Sequence, residues 1–153
     1  MIAEGEIAPS FQGTTQHGQP IDLESYRGRP VVVYFYPKAN TSGCTIEARG
    51  FATHYPELRA AGIDVIGVSV DSVERQRGFA ERCGVPFPLI ADHDRAISRR
   101  YGVLGVFGMA KRVTFFIGAD GRVEEVVAGM MPGPHVERAV ARARSARSAG
   151  PPT

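Results

Sequence analysis

Two cysteines in 153 residues are too few to frame a disulfide-rich secreted scaffold, so each thiol has to be judged by its own surroundings. No stretch approaches the ~18 apolar residues that cross a bilayer. The opening Met1-Ile2-Ala3-Glu4-Gly5-Glu6 lacks the basic head and apolar run of a signal peptide. A cytoplasmic, reducing location is the expectation, with no membrane partner; there a reactive or transient thiol is more plausible than a permanent disulfide. Nor is there a strong charge of one sign. Lys plus Arg number 18 against 16 Asp plus Glu, a net +2 with no basic run, which argues against a dedicated nucleic-acid binder. The 4 histidines (His17, His54, His93 and His135) show no metal-ligand spacing, and each reads as a surface or turn residue. Residues 102–108 are glycine-rich but lack GxGxxG spacing, so no phosphate cradle is expected there. No metal or cofactor is expected.

What is present suits one domain. A chain of this length buries roughly 70% of its unfolded surface without staples. Residues 30–37 carry Val31-Val32-Val33-Tyr34-Phe35-Tyr36 between two prolines, apolar at both parities, as a central strand covered on both faces requires. A polar turn then leads into a helix from about residue 42 to 62, with Thr41 or Ser42 at its cap, Glu47 in its first turns, and Pro56 expected to kink or divide it. A second β-branched run spans 63–70, a helix capped by Asp71 or Ser72 stops at Gly84, and a short strand is expected over 86–91. Residues 94–101 suit one or two helical turns, 112–128 a hairpin, and 134–147 a last helix. The pattern predicts an α/β fold with a mixed sheet and helices on both faces, one domain over 1–147 and a fraying tail over 148–153.

Cys44 stands where the chemistry of a thiol is most easily changed. It follows the buried-type strand by a turn and opens a helix. A helix N-terminus offers free N–H groups and about half a positive charge, both of which favour a thiolate. A free thiol near pKa 8.5 is only about 3% ionised at pH 7. Bringing such a group to ~6 takes roughly 3.4 kcal/mol, and the dipole supplies only ~1–2 kcal/mol. A cation is therefore also needed, and arginine keeps its charge when partly buried. The bland alternative is a small packing residue, against which the polar Thr41-Ser42-Gly43 turn weighs.

The segment Tyr34-Phe35-Tyr36-Pro37-Lys38-Ala39-Asn40-Thr41-Ser42-Gly43-Cys44 resembles the active-site segment of the peroxiredoxins, most closely the bacterioferritin comigratory protein or peroxiredoxin Q branch. The similarity runs through Gly67-Val68-Ser69, residues 86–92 and Arg112-Val113-Thr114-Phe115. It implies a thioredoxin-like fold with an N-terminal β extension and reduction of hydrogen peroxide or organic hydroperoxides. By the same resemblance Cys44 is the peroxidatic nucleophile, Thr41 bonds the thiolate and the peroxide, and Pro37 shields the pocket. Arg112 holds thiolate and peroxide, and Glu47 orients that guanidinium. Members of this branch are often monomers, so a monomer or weak dimer is implied, with thioredoxin or a similar dithiol as reductant.

The sequence departs from the branch at one point. Many members carry a second cysteine five residues after the first, where this chain has Arg49. The other thiol is Cys83, 39 positions on, about one helical turn beyond where some members place a resolving cysteine. Cys83 is thus either the resolving thiol or a packed residue sharing a face with Val73 and Ala80. The rival readings are a one-Cys enzyme resolved by an external thiol, a non-catalytic thioredoxin-like binding or chaperone module, and a Cys-x-x-Cys oxidoreductase, the last disfavoured because Thr41 occupies the first position. Val103, Leu104, Val106, Phe107 and Met109 are expected as an exposed apolar patch, in a loop lining the peroxide pocket.

Overall fold

A computed structural model describes residues 1–148. The run of β-branched and aromatic residues forms β3 (Val31–Phe35), buried along its whole length. Around it stand β4 (Asp64–Ser69), β5 (Leu89–Ala91), β6 (Val113–Ile117) and β7 (Val123–Ala128), in the order β5-β4-β3-β6-β7. β3 pairs in parallel with β4 and antiparallel with β6. A separate hairpin of β1 (Gln12–Thr14) and β2 (Pro20–Asp22) forms the N-terminal extension. The mixed sheet, its flanking helices and this extension bear out the expected fold class.

Alternation along β3 divides the core. Val32 and Tyr34, with Tyr36 beyond the strand, face α1 (Ser42–Ala60), α2 (Val73–Cys83) and α4 (Gly133–Ser148) through Phe51, Phe79 and Ala139. Val31, Val33 and Phe35 face the N-terminal segment and α3 (Ala96–Arg100) through Phe11, Ile97 and Tyr101. Both layers are apolar because the strand is covered twice.

The boundaries follow local chemistry. Ser72 caps α2 by accepting the Arg75 N–H at 3.2 Å, and Gly84 ends it in the left-handed conformation that glycine adopts without strain. Pro56 does not divide α1, which runs unbroken for 19 residues. The expected tail lies outside the described residues except for Ser148, which is the last residue of α4. Gly50 lets α1 and α4 approach, since a Cβ there would stand 3.0 Å from Val136. The first turns of α1 lie beside Arg112, the residue just before β6.

Candidate active site

Residues 36–41 carry the chain from the end of β3 to the start of α1, and the core holds them. The Ala39 N–H donates to buried Asp71 at 2.8 Å, and Arg75 bridges Asp71 Oδ1 and the Ala39 carbonyl. Asn40 takes a left-handed backbone, φ 67°. Thr41 is the N-cap residue by backbone, but its hydroxyl donates to the Lys38 carbonyl at 2.8 Å and caps nothing. The N–H groups of Ser42, Gly43 and Cys44 therefore find no acceptor among the described residues, and the first helical bond is Thr45 N–H to Thr41 O. An uncapped N-terminus normally weakens a helix by ~1 kcal/mol. Here it leaves three donors beside Cys44.

Cys44 is 1% exposed. The Arg112 Nη2–H donates to its Sγ at 3.5 Å across 68 residues of sequence. Two further bonds aim that guanidinium: Nη1–H to Glu47 Oε1 at 2.6 Å, and Nε–H to the Met130 carbonyl at 2.8 Å. Gly43 permits the approach, because a Cβ there would lie 2.9 Å from Arg112 Nη2. A planar fork fixed at two corners has only one direction left for the third.

The structure thus brings Cys44, Arg112 and Glu47 together. Glu47 lies in the second turn of α1, fully buried, because i+3 from Cys44 shares its inward face. Burial pushes its carboxyl up to about 7, against the lowering pull of Arg112. Thr41 is placed with its hydroxyl donating to the Lys38 carbonyl rather than to the sulfur. Pro37 is half-buried at the turn.

Cys83 ends α2, buried in the same apolar cluster as Cys44, and both thiols are free. Its face of the helix carries Gln76, Phe79 and Ala80, with Val73 only half-buried. Burial raises its thiol above the ordinary value despite Arg49 and Arg82 nearby. Arg49 reaches across from α1 to donate to the Arg82 carbonyl, and Arg82 donates from Nε and Nη2 to Asn40 Oδ1. A strap of two guanidinium groups therefore ties the end of α2 to the Cys44 loop.

The expected apolar loop is corrected in part. Val103 belongs to the core, and Leu104 and Met109 are half-buried because Gly105 folds the loop back with its N–H on the Met109 carbonyl at 2.7 Å. Val106 and Phe107 remain exposed. A second correction concerns His135, read from the sequence as a surface or turn residue. It is fully buried, with Nδ1 2.7 Å from Thr114 Oγ1, Nε2 2.9 Å from the Gly129 carbonyl, and Glu47 Oε2 3.9 Å from Nδ1. A single histidine just inside a Pro-flanked helix start carries no signal of this; only the register of Arg112 and Thr114, two residues apart on one face of the sheet, hints at it. No helix among the described residues is long and apolar enough to cross a membrane.

Comparison with known proteins adds a lineage to this geometry. The profile of the AhpC/TSA family matches residues 5–126. Peroxiredoxin Bcp of Escherichia coli strain K12 is 40% identical over 132 residues, covering 82% of this chain and 85% of that protein. Peroxidoxin BcpB of Mycobacterium tuberculosis superposes with a TM-score of 0.88 at 32% identity, over 95% of this chain and 98% of that one. Bacterioferritin comigratory protein of Xanthomonas campestris, described with trapped intermediate and ligand complexes bearing on its alkyl peroxide reduction, gives 0.82 at 30%, over 88% and 90%.

Proposed function

Because the chain belongs to the AhpC/TSA family and is a peroxiredoxin of the Bcp and peroxiredoxin Q kind, a thiol peroxidase, we propose that Cys44 is the thiol that meets the peroxide. The observation that carries this is the Arg112 guanidinium, braced by Glu47, at 3.5 Å from the Cys44 sulfur at an uncapped helix start. The substrates are hydrogen peroxide and organic hydroperoxides, and the physiological reductant is thioredoxin or a similar dithiol. The protein acts in the cytoplasm as a monomer or weak dimer, as one domain over 1–147.

The thiolate attacks the nearer peroxide oxygen, the S–O bond forms and the O–O bond breaks. The departing oxygen takes a proton and leaves as water or an alcohol, and Cys44 becomes a sulfenic acid. Negative charge grows on that departing oxygen, and donors already in place lower the barrier. Arg112 and the N–H groups of Ser42, Gly43 and Cys44 are those donors. Since the Thr41 hydroxyl gives its hydrogen to Lys38, its lone pair is left to accept the peroxide O–H. Pro37 keeps water from the sulfur.

Cys83 then attacks the Cys44 sulfenic sulfur, water leaves, and a disulfide forms that the dithiol reduces with two electrons. Its membership of the same buried cluster as Cys44 supports this role over an external resolving thiol. Mass spectrometry after one equivalent of peroxide, with a sulfenate trap, tests both steps. Modification first at Cys44, followed by a 44–83 crosslink, is expected. Oxidation elsewhere would overturn the assignment of Cys44, and a persistent Cys44 sulfenate without crosslink would leave a one-Cys enzyme.

A further inference from the structure

Arg112 is aimed by two partners, and only one of them belongs to a rigid element. Glu47 sits in α1, whereas the Met130 carbonyl belongs to the turn between β7 and α4. That turn has little apolar anchoring, for Met130 and Met131 are 72% and 71% exposed. Something else must hold its carbonyls in direction.

We infer that His135 is a positioning residue for the thiol chemistry, fixing the turn over 129–130 so that the Met130 carbonyl holds Arg112 against Cys44. The tautomer follows from the partners. A carbonyl only accepts, so the Nε2 atom 2.9 Å from the Gly129 carbonyl carries the hydrogen. Nδ1 is then a lone pair, and it accepts the Thr114 hydroxyl at 2.7 Å. Burial and the Arg112 charge both disfavour a second proton on the ring, which keeps it neutral. The groups facing it are Thr114 from β6, Gly129 from the turn, Glu47 from α1 and Arg112.

The connections form a closed loop. Thr114 orients the ring, the ring holds the Gly129 carbonyl, and the Gly129 N–H donates to the Arg112 carbonyl at 3.2 Å. The next residue, Met130, takes the Arg112 Nε–H. Gly129 itself has φ 145° and no Cβ, so its own conformation resists little if the ring is lost. A neutral ring also leaves Glu47 Oε2 without a hydrogen-bond partner, so the carboxylate's one strong bond goes to Arg112.

This inference rests on Cys44 being the peroxide-reactive thiol, and its test keeps the two apart. In a Cys83→Ser background, His135→Leu preserves apolar bulk and removes both ring bonds, while His135→Gln retains an N–H for the Gly129 carbonyl. Stopped-flow measurement with hydrogen peroxide is expected to show a roughly ten- to hundredfold slower first step for the leucine variant. The pH at which thiolate absorbance appears should move up by about one unit, and glutamine should recover most of the loss. A leucine variant as fast as its parent overturns the inference. So does a slow variant whose thiolate titration has not moved, or a glutamine variant no better than leucine. Should the leucine variant not fold, imidazole nitrogen NMR of the unmutated protein decides instead. A neutral ring protonated at Nε2 supports the inference, and a proton on Nδ1 or a charged ring overturns it. A parent no faster than free cysteine would overturn the reading of Cys44 and this inference with it, whereas a fast parent with an equally fast leucine variant overturns this inference alone.

Discussion

At the scale of single residues, the site depends on one side chain that is missing. Gly43 has an ordinary helical neighbourhood, yet a Cβ on it would stand 2.9 Å from the Arg112 nitrogen that faces Cys44. Gly43→Ala should leave helix α1 intact, since alanine favours helix by up to ~1 kcal/mol over glycine. It should slow reaction with peroxide at least roughly tenfold by displacing the guanidinium; circular dichroism and stopped-flow rates on the same sample check both halves. The sequence showed this glycine only as part of a polar turn, because its neighbour comes from 69 positions away. The setting of Cys44 is legible locally, as a thiol after a buried strand at a helix start. Arg112 and Glu47 were legible only through family resemblance, as nothing near them in sequence sets them apart from a strand-end arginine and a helix-start glutamate. His135 was read wrongly, because its burial is decided by Thr114 and Gly129 in other elements.

At the scale of elements, α1 and α2 matter for where they begin and end. The strand β3 and the helices were legible because their signals are short-range: apolar residues at both parities, a serine cap, a glycine at C′. Pro56 leaves α1 undivided, lying near the last turns of a helix whose packing against α4 and the sheet holds it. What the pattern did not reveal is the strap from Arg82 to Asn40, with Arg49 on the Arg82 carbonyl, joining the end of α2 to the Cys44 loop. If Cys83 resolves the sulfenate, the end of α2 has to bring its Cα within about 7 Å of that of Cys44, and this strap holds that end against the Cys44 loop. Its bonds are exposed, so they resist opening only modestly. Arg82→Ala is expected to speed the passage from Cys44 sulfenate to disulfide by about two- to fivefold. Amide exchange in the last turn of α2 should rise with it; unchanged exchange and unchanged disulfide formation would show that the strap does not gate this step.

At the scale of the whole molecule, the sheet order makes the site. Antiparallel pairing of β3 with β6 sets Phe35 opposite Val113, so the end of one strand and the residue before the other, Arg112, arrive together. The buried charges gathered there leave a mark on global stability. Glu47 holds its proton up to about pH 7 when folded, against 4.5 when unfolded. Its contribution is full below 4.5 and is lost as pH rises through about 7. His135 is shifted the other way, below 6.5, so its contribution is full above 6.5 and is lost as pH falls. The lowered carboxyls Glu57 and Glu125 act only below 4.5, outside that range. Between 4.5 and about 7 the two slopes run in opposite directions. Urea unfolding of Glu47→Gln should then show stability rising with pH, and of His135→Leu stability falling with pH; parallel profiles in all three proteins would contradict this.

The central claim is that a guanidinium fixed at two corners makes one buried sulfur reactive towards peroxide. Arg112→Lys tests it most directly, because lysine keeps the positive charge but cannot hold Glu47, the Met130 carbonyl and the Cys44 sulfur at once. The bimolecular rate constant with hydrogen peroxide, followed by stopped flow, is expected to fall roughly 10²- to 10³-fold in the folded variant. A lysine variant that reacts as fast as the unmutated chain would contradict the account.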